Sequence, residues 1–357
     1  MRKYYIDNIR TLAILLLFPF HTCRIFNSFE TFYVVGKPNA ICDNFIRLTS
    51  EWFMPLLFTI AGISTALALN KRSTRQFIRE RFFKLFVPFI FGLILIVPIQ
   101  TFFAEKQHNG YTGSYFQQYI LFFTKITDLS GYTGGFTPAH LWFLLFLFLI
   151  SLVSLPVIAF YKKSDKRIKA NKFNLLLLII LFVFNFALSP LEIGGQSFGK
   201  YLSFFLLGYL ILSMDYIMEL LEKNTLILLI ITIIFSALRM VMIYKVDSEG
   251  ISAAIYILLS AFNSLTTWII VLTILALGKR YLNFRKNIFS YLSRVSFPIY
   301  VFHQTWLVVI GYYALSHFDS SIVQFNFIMF LTFAVSLLTC EVLKRTAITR
   351  FMFGIKK

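Results

Sequence analysis

The chain has 357 residues, of which 58% are hydrophobic and only 14% are charged, and its mean hydropathy is +0.74. Soluble globular domains carry about 25% charged residues. This composition therefore excludes an ordinary cytosolic enzyme, a disordered chain and a nucleic-acid-binding domain, and it indicates a polytopic membrane protein. The net charge of +18 has to be interpreted from the positions of the charges, because membrane proteins collect Lys and Arg on one side.

Ten runs of mostly apolar residues are long enough to cross the ~30 Å hydrocarbon core of a bilayer, which needs about 20 residues per helix. The first run, Leu12–Phe20, follows Arg2, Lys3 and Arg10 and imitates a signal peptide. It lacks a small-residue cleavage site, so we expect a retained span. We predict an all-α, polytopic transmembrane helical bundle with spans at 8–27, 52–70, 83–104, 139–161, 173–189, 200–214, 225–244, 252–277, 288–312 and 324–343.

The positions of the basic residues predict the orientation of these spans. With the N-terminus inside, most of the 34 Lys and Arg residues fall in inner segments. The inner loop after the fourth span alone contains Lys162, Lys163, Lys166, Arg167, Lys169 and Lys172. The predicted outer segments contain only Arg24, Lys37, Arg47, Lys106, Lys125, Lys200 and Lys245. This asymmetry predicts that the N- and C-termini are both cytoplasmic.

The longest polar stretch, residues 105–138, is rich in Tyr, Gly, Gln and Thr. We expect an outer loop here, with a partly inserted, aromatic-rich piece at Tyr115–Phe123. Loops of this kind often bind ligands. No long soluble segment is attached, so residues 1–357 are predicted to form a single membrane-embedded domain.

Ionisable side chains within spans are functional candidates, because placing them in a bilayer costs a few kcal/mol. They are Arg10, His21, Glu51, His140, Arg239, Arg294, His303 and Glu341. Arg10 and His21 are eleven residues apart, about 20° beyond three full turns, so both face one side of a helix about 16 Å apart. A polar cleft along that side is one interpretation. The alternative is that Arg10 anchors the helix at the membrane surface and His21 makes a helix–helix contact.

Histidine is suited to general acid–base chemistry, because its unperturbed pKa is about 6.5. His303 follows Pro298, which frees backbone carbonyls within the span. His140 opens the fourth span at its outer interface. For both histidines, an interhelical hydrogen bond is the alternative to a catalytic role.

The remaining charged residues of the late spans are expected to find ionic partners. We expect Arg239 and Arg294 to be charge partners or to extend to the membrane surface. Glu341 is expected to pair with one of these or with Lys344, one helical turn further on.

Basic residues also cluster in the inner segment 75–84, which includes Arg81 and Lys84. They either orient the helices or bind a phosphorylated, multiply anionic cofactor, for which Arg and Lys are well suited. The sequence has no P-loop, G-x-G-x-x-G, H-E-x-x-H or G-x-S-x-G motif. ATP-driven transport, dinucleotide chemistry and zinc hydrolysis are therefore disfavoured.

Four segments, in this order, resemble the motifs of the membrane family called acyltransferase 3. They are the Arg10-x10-His21 pair, Met54–Gly62 with Ala61 where Ser is common, Arg81-x-x-Lys84 with Lys replacing a second Arg, and Ser296–His303. The closest likeness is to the glucan biosynthesis protein C branch, which succinylates periplasmic glucans. It is carried by Tyr4–Arg10, Pro19–His21 and His140–Leu145, and the resemblance spans residues 4 to about 345.

The resemblance implies an O-acyltransferase of the plasma (inner) membrane. It would move an acetyl or succinyl group from cytoplasmic acyl-CoA to a hydroxyl of an extracytoplasmic glycan, with no metal and no nucleic-acid partner. The residues that we assign are His21, Arg10, His303 and Tyr300 for catalysis, Arg81, Lys84 and Arg10 for acyl-CoA, and His140, Trp142 and Glu51 for the acceptor.

In this scheme His21 is the general base that takes the proton of the acceptor hydroxyl. His303 and Tyr300 orient it or stabilise the developing oxyanion. The three donor-binding residues hold the phosphates of CoA.

The main alternative is a proton-coupled secondary exporter of a glycan or acidic metabolite, with intramembrane His and Arg as proton relay and counter-ion. The sequence has neither a visible inverted repeat nor symmetric Gly/Pro interruptions, both of which carriers often show. A membrane scaffold would explain the spans but not the two charged residues on one side of the first span.

Overall fold

The computed structural model describes residues 3–126, 129–132, 134–163, 173–246 and 251–355. Seven of the predicted inner basic residues lie outside the described residues, namely Arg2, Lys166, Arg167, Lys169, Lys172, Lys356 and Lys357. The described part is almost entirely α-helical, as predicted. Its two strands, β1 (Glu192–Ile193) and β2 (Gln196–Ser197), pair antiparallel.

The helices follow one another with short connections. In the first half of the chain they are α1 (Tyr4–Ile25), α2 (Ala40–Leu69), α3 (Thr74–Arg81), α4 (Val87–Leu95), α5 (Val97–Asn109), α6 (Tyr115–Thr124), α7 (Trp142–Val153) and α8 (Leu155–Lys163). In the second half they are α9 (Phe173–Leu188), α10 (Phe198–Leu210), α11 (Asp215–Lys223), α12 (Thr225–Lys245), α13 (Ala253–Tyr281), α14 (Asn287–His317), α15 (Ser321–Leu343) and α16 (Ala347–Met352).

Each of the ten predicted spans coincides with a helix, but the helices differ in length and hydropathy. Six in the described part are long and apolar enough to cross a membrane: Ala40–Leu69, Thr74–Asn109, Ala139–Lys162, Thr225–Lys245, Ala253–Tyr281 and Ser321–Leu343. The helices α10 and α11 reach that standard only as a pair, bent by 101°. The polar side chains of α1 and α14 lower their hydropathy. The six helices indicate a multi-pass membrane protein, while the count of ten and the sides of the termini stay predictions.

The predicted span 83–104 lies within the helical stretch Thr74–Asn109, which is irregular at two places. A π-helical turn, Phe82–Phe86, separates α3 from α4, and α5 starts at Val97 with Pro98 in its first turn. Proline has no N–H for the helical ladder, so it is favoured at such helix starts. The helix also extends beyond the prediction, to Asn109, where Gly110 ends it in the left-handed region with φ of 62°.

The predicted outer loop contains a helix where we expected an inserted aromatic piece. Ser114 caps α6 by accepting from the Gln117 N–H, and the Gln117 side chain accepts from the Ser114 N–H in return. Phe122 is fully buried, whereas Phe116 is 78% exposed. Insertion of this segment in the membrane therefore stays a prediction.

The chain divides into two compact units. The first contains the described parts of Met1–Arg10, Arg47–Phe77 and Leu149–Arg285. Within it, α2 and α10 cross closely at two glycines: a Cβ on Gly62 would press on the Phe205 carbonyl oxygen, and one on Gly208 on the Thr59 carbonyl oxygen. Small residues let helix backbones approach in this way.

The second unit contains the described parts of Thr11–Ile46, Ile78–Phe148 and Lys286–Lys357. In this unit α14 packs along α15 and α5. Its core lies around the end of α1 and includes Ile25, Phe26, Val34 and Leu307, all almost fully buried. The single-domain prediction is not tested by this division.

Candidate active site

Three histidines lie close together in the second unit. The ring centroid of His303, on α14, is 5.1 Å from that of His21 on α1 and 5.1 Å from that of His140, which belongs to the 3-10 turn Ala139–Leu141 before α7. His140 and His303 are buried, while His21 is half-buried. The structure thus brings together three of the residues selected from the sequence, and Tyr300 joins them, with its ring 5.7 Å from that of His140.

The hydrogen bond of His303 determines which of its nitrogens carries the proton. Its Nδ1 lies 2.7 Å from the carbonyl oxygen of Tyr300, three residues earlier in the helix. A carbonyl oxygen only accepts, so Nδ1 is the protonated nitrogen and Nε2 holds the lone pair. Nε2 is buried and has no hydrogen-bond partner among the described residues.

His140, in contrast, uses both ring nitrogens. Its Nε2 donates to the Val301 carbonyl oxygen at 3.0 Å, and its Nδ1 lies 3.5 Å from the amide nitrogen of Gln100. The Tyr300 hydroxyl donates to the backbone carbonyl of His140. These bonds tie the turn before α7 to α14, as in the alternative interpretation of His140 as an interhelical contact.

The backbone before His140 is held in a costly conformation. Ala139 has φ of 45°, in the left-handed region that residues with a Cβ rarely adopt. Its N–H donates to the Thr137 hydroxyl at 2.9 Å. Strain of this kind persists where surrounding contacts over-determine the backbone, and it clusters at functional sites.

A buried amide network extends from His140 and was missed in the sequence. Gln100 of α5 donates to the Thr305 hydroxyl at 2.7 Å and accepts from the Gln304 amide at 2.9 Å. All three are polar but uncharged residues within apolar runs, whereas the candidates chosen from the sequence were ionisable side chains. Because neutral amides inside a span also need partners, they mark the same interior.

Aromatic rings cover the other side of His21. Its ring stacks on Phe32 at 6.0 Å with an interplanar angle of 19°, and Phe20 lies edge-on at 5.2 Å. Its Nδ1 is buried without a hydrogen-bond partner in the described part of the chain. Arg24 forms an ion pair with Glu30 and lies 5.6 Å above the Phe32 ring. The His21 imidazole is therefore shielded, with hydrogen-bonding capacity left over.

The predicted donor-binding residues are distributed between the units. Arg10 belongs to the first unit, where it donates to the Ser64 hydroxyl at 2.7 Å and lies 3.4 Å from an Asp7 oxygen. Arg81 and Lys84 belong to the second. Arg81 immediately precedes the π-helical turn Phe82–Phe86 and is half-buried. Exposed Lys84 pairs with Glu80 at 3.2 Å. Irregular turns of this type are frequent at functional sites.

Glu51, assigned to the acceptor, is part of an ion-pair network in the first unit. It lies 3.1 Å from the Lys200 ammonium and 3.4 Å from the Arg239 guanidinium. Arg239 also donates to the Arg47 carbonyl oxygen at 2.6 Å. The expectation that Arg239 is a charge partner is confirmed.

Two other predicted residues have local contacts. Trp142, also assigned to the acceptor, packs edge-on against Phe146 at 5.1 Å, one turn along α7. Glu341 forms an ion pair with Lys344, which confirms that prediction. Across the residues that the structure describes, no group of three His, Cys, Asp or Glu side chains is arranged to hold a metal ion.

Comparison with known proteins decides the family. Residues 3–341 match the acyltransferase 3 family model, which is described as an acyltransferase domain. The chain belongs to this family. Over 384 aligned residues it is 21% identical to proteins named glucans biosynthesis protein C from Salmonella dublin and Salmonella enteritidis PT4, covering 99% of this chain and 95% of each relative. No solved structure matches it.

Membership has direct consequences for the three-histidine cluster. The chain is an enzyme, an acyltransferase that transfers groups other than aminoacyl groups. It is a multi-pass membrane protein that needs an acyl donor and an acceptor. The cluster is therefore the candidate active site of an acyltransferase.

Proposed function

We propose that this acyltransferase moves an acetyl or succinyl group from cytoplasmic acyl-CoA to a hydroxyl of an extracytoplasmic glycan. In this proposal all 357 residues form one domain of the plasma (inner) membrane, with ten spans, both termini in the cytoplasm and an outer loop at 105–138. The name of the relatives, glucans biosynthesis protein C, favours a glucan acceptor. The observation that carries the proposal is the pair of rings of His21 and His303, 5.1 Å apart by centroid, each with one buried nitrogen that has no hydrogen-bond partner among the described residues.

His21 acts as the general base. The acceptor hydroxyl oxygen attacks the thioester carbonyl carbon, and the hydroxyl proton passes to the His21 imidazole. The carbon–sulfur bond then breaks, and the CoA sulfur leaves and takes a proton from the imidazolium. Positioned general bases typically contribute 10²–10⁴ in rate. A half-buried imidazole stacked on Phe32 meets the requirement for a base that water does not surround.

Acyl-CoA carries several phosphates, and the basic residues Arg10, Arg81 and Lys84 are proposed to bind them. Guanidinium groups donate to phosphate oxygens through paired N–H groups, while the Lys ammonium acts as a point charge. The pairing of Lys84 with Glu80 is exposed and worth little, so exchange of Glu80 for a phosphate is inexpensive.

The roles of Tyr300 and His140 are refined by their hydrogen bonds. The Tyr300 hydroxyl donates to the His140 carbonyl, so we assign Tyr300 to holding the turn at Ala139–Leu141 instead of to the oxyanion. Trp142, His140 and Glu51 remain proposed acceptor-binding residues. The side chains of His140 and Glu51 already have hydrogen-bond or ionic partners, which favours a binding role over a direct part in the transfer chemistry.

The test uses glycans extracted from cells with the wild-type chain, without it, and with His21→Ala or His317→Ala. His317 is exposed at the end of α14 and serves as a control. Mass spectrometry is expected to find acylated glycan with the wild type and His317→Ala, and none in the other two. Unchanged acylation in His21→Ala at equal expression would remove the base assignment. Loss of extracellular glycan without any acyl difference would instead support an exporter.

A further inference from the structure

We infer that His303 is a positioning residue that holds His21 as the Nδ1–H tautomer, so that His21 Nε2 is the atom that takes the acceptor proton. The inference rests on the proposed function, since it specifies how the proposed base is held. It assigns to His303 one role, orientation of the base, and to His21 one reacting nitrogen.

The first step is the fixed tautomer of His303. Donation from its Nδ1 to the Tyr300 carbonyl leaves a lone pair at Nε2, and this atom lies on a side chain with no exposed surface. A buried acceptor without a donor is unfavourable, so native structures nearly always provide one. His303 therefore requires a donor from a neighbouring side chain.

The second step is the elimination of the other ring neighbours. The rings around His303 are those of Phe18, His21, His140 and Tyr300. Phe18 has no donor. Both nitrogens of His140 and the hydroxyl of Tyr300 are already engaged. Among these neighbours, only His21 has an N–H to offer.

The third step is complementarity. The Nδ1 of His21 is also buried and unpaired among the described residues, so one open nitrogen on each ring awaits a partner. At 5.1 Å between centroids, a rotation of the His21 ring, or one bridging water, joins them while His303 keeps its bond to the Tyr300 carbonyl. Catalytic hydrogen bonds are often long before substrate binds and tighten in the reacting complex.

The consequence is that two neutral histidines have different roles: His21 accepts the proton and His303 orients His21. With Nδ1–H donating to His303 Nε2, His21 presents its Nε2 lone pair to the acceptor hydroxyl. When Nε2 takes the proton, His21 becomes an imidazolium, and its bond to His303 becomes charge-assisted and stronger. His303 stays neutral and passes no proton. This is the orienting role that the carboxylate has in a Ser-His-Asp triad, carried out here by an imidazole.

The chain has only five histidines, which makes the tautomers directly observable. The full-length protein, labelled with ¹⁵N-histidine and held in lipid nanodiscs, is examined by NMR, with His108→Gln and His317→Gln helping to assign the signals. In the wild type, His21 is expected to carry its proton on Nδ1. In His303→Ala, His21 is expected to shift toward Nε2–H or to a mixture of tautomers. A wild-type His21 protonated on Nε2, or an Nδ1–H tautomer that persists in His303→Ala, would overturn the inference.

Activity provides the second readout, with radiolabelled acetyl-CoA or succinyl-CoA and a glucan as the probes. His303→Ala is expected to lower kcat by about tenfold or more, with little change in KM for the acyl-CoA. His303→Gln, whose amide oxygen can accept from His21, is expected to recover part of that loss, and it also serves if the alanine variant does not fold. Equal kcat in all variants would contradict the positioning role. A tautomer change in His303→Ala together with full activity in His21→Ala would leave the positioning intact and remove the proposed base.

Discussion

Glu51→Gln keeps the shape of the side chain and removes the charge that faces two cations. Glu51 pairs with Lys200 and Arg239, whose side chains are 22% and 10% exposed, while its own is 35% exposed. Breaking a fully buried pair costs about 3–5 kcal/mol, and an exposed pair contributes about 0–1 kcal/mol. From the intermediate exposure of this site, Glu51→Gln is expected to lower the free energy of unfolding by about 2–3 kcal/mol, because the two cations then repel each other in a partly desolvated site.

The matched control is Glu341→Gln. The Glu341 side chain is 34% exposed, close to the 35% of Glu51, but its partner Lys344 is 44% exposed. The Tyr291 hydroxyl, 2.9 Å away, can still donate to the glutamine oxygen. The Glu341→Gln variant should lose at most about 1 kcal/mol of its free energy of unfolding. The difference between the two variants therefore measures the combined effect of the second cation and of the greater burial of the cations.

The assay is thermal unfolding of the purified protein in one detergent, followed by intrinsic fluorescence and by the soluble fraction after heating. Glu51→Gln is expected to lower the midpoint by about 4 °C and Glu341→Gln by about 1 °C. Adding Lys200→Met to Glu51→Gln removes one uncompensated cation and should restore part of the midpoint. Equal midpoints for Glu51→Gln and Glu341→Gln would refute the reasoning.

Three further predictions concern packing, the turn before α7 and the donor site. Gly62→Ala places a methyl group against a backbone carbonyl of α10 and is expected to destabilise the protein by about 1–3 kcal/mol; a midpoint equal to that of the wild type would show that the helices can separate. Tyr300→Phe removes the hydroxyl that donates to the His140 carbonyl and should cost about 1–3 kcal/mol, with faster amide exchange in the turn. Unchanged exchange there would contradict the holding role. The double variant Arg81→Ala, Lys84→Ala should bind acyl-CoA about tenfold or more weakly than the wild type, as measured by calorimetry. The difference in affinity should become smaller as the salt concentration rises. The same affinity as the wild type would exclude these residues from the phosphate site.

The fold was predictable as far as it depends on one helix at a time. Apolar runs of span length placed a helix at all ten predicted positions. The run at 83–104 was different, since the π-helical turn at Phe82–Phe86 and the irregular residue before Val97 depend on local backbone geometry. Two prolines, Pro88 and Pro98, were the available signal for these helix starts.

The candidate site was predictable in part, for a related reason. His21, His140 and His303 stood out because ionisable groups are costly within a span, whatever their neighbours are. The pairing of Glu341 with Lys344 followed from helical spacing alone. The ion pairs of Glu51 did not, because Lys200 and Arg239 are far from it in sequence.

The sequence by itself determined that this protein lies in a membrane, approximately where its helices are, and which family motifs it carries. It also identified the few polar side chains whose burial in a membrane costs free energy. Those properties follow from composition and from periodicity along a single helix. Only the tertiary structure decided which hydrogen-bond partners each of these polar side chains has. It engages both nitrogens of His140 with Gln100 and α14. Within the part of the chain that the structure describes, it leaves one nitrogen of His21 and one of His303 without a partner, on rings whose centroids are 5.1 Å apart. The physical reason is that a hydrogen bond requires two groups within about 3 Å, and which helices meet at that distance is a property of packing.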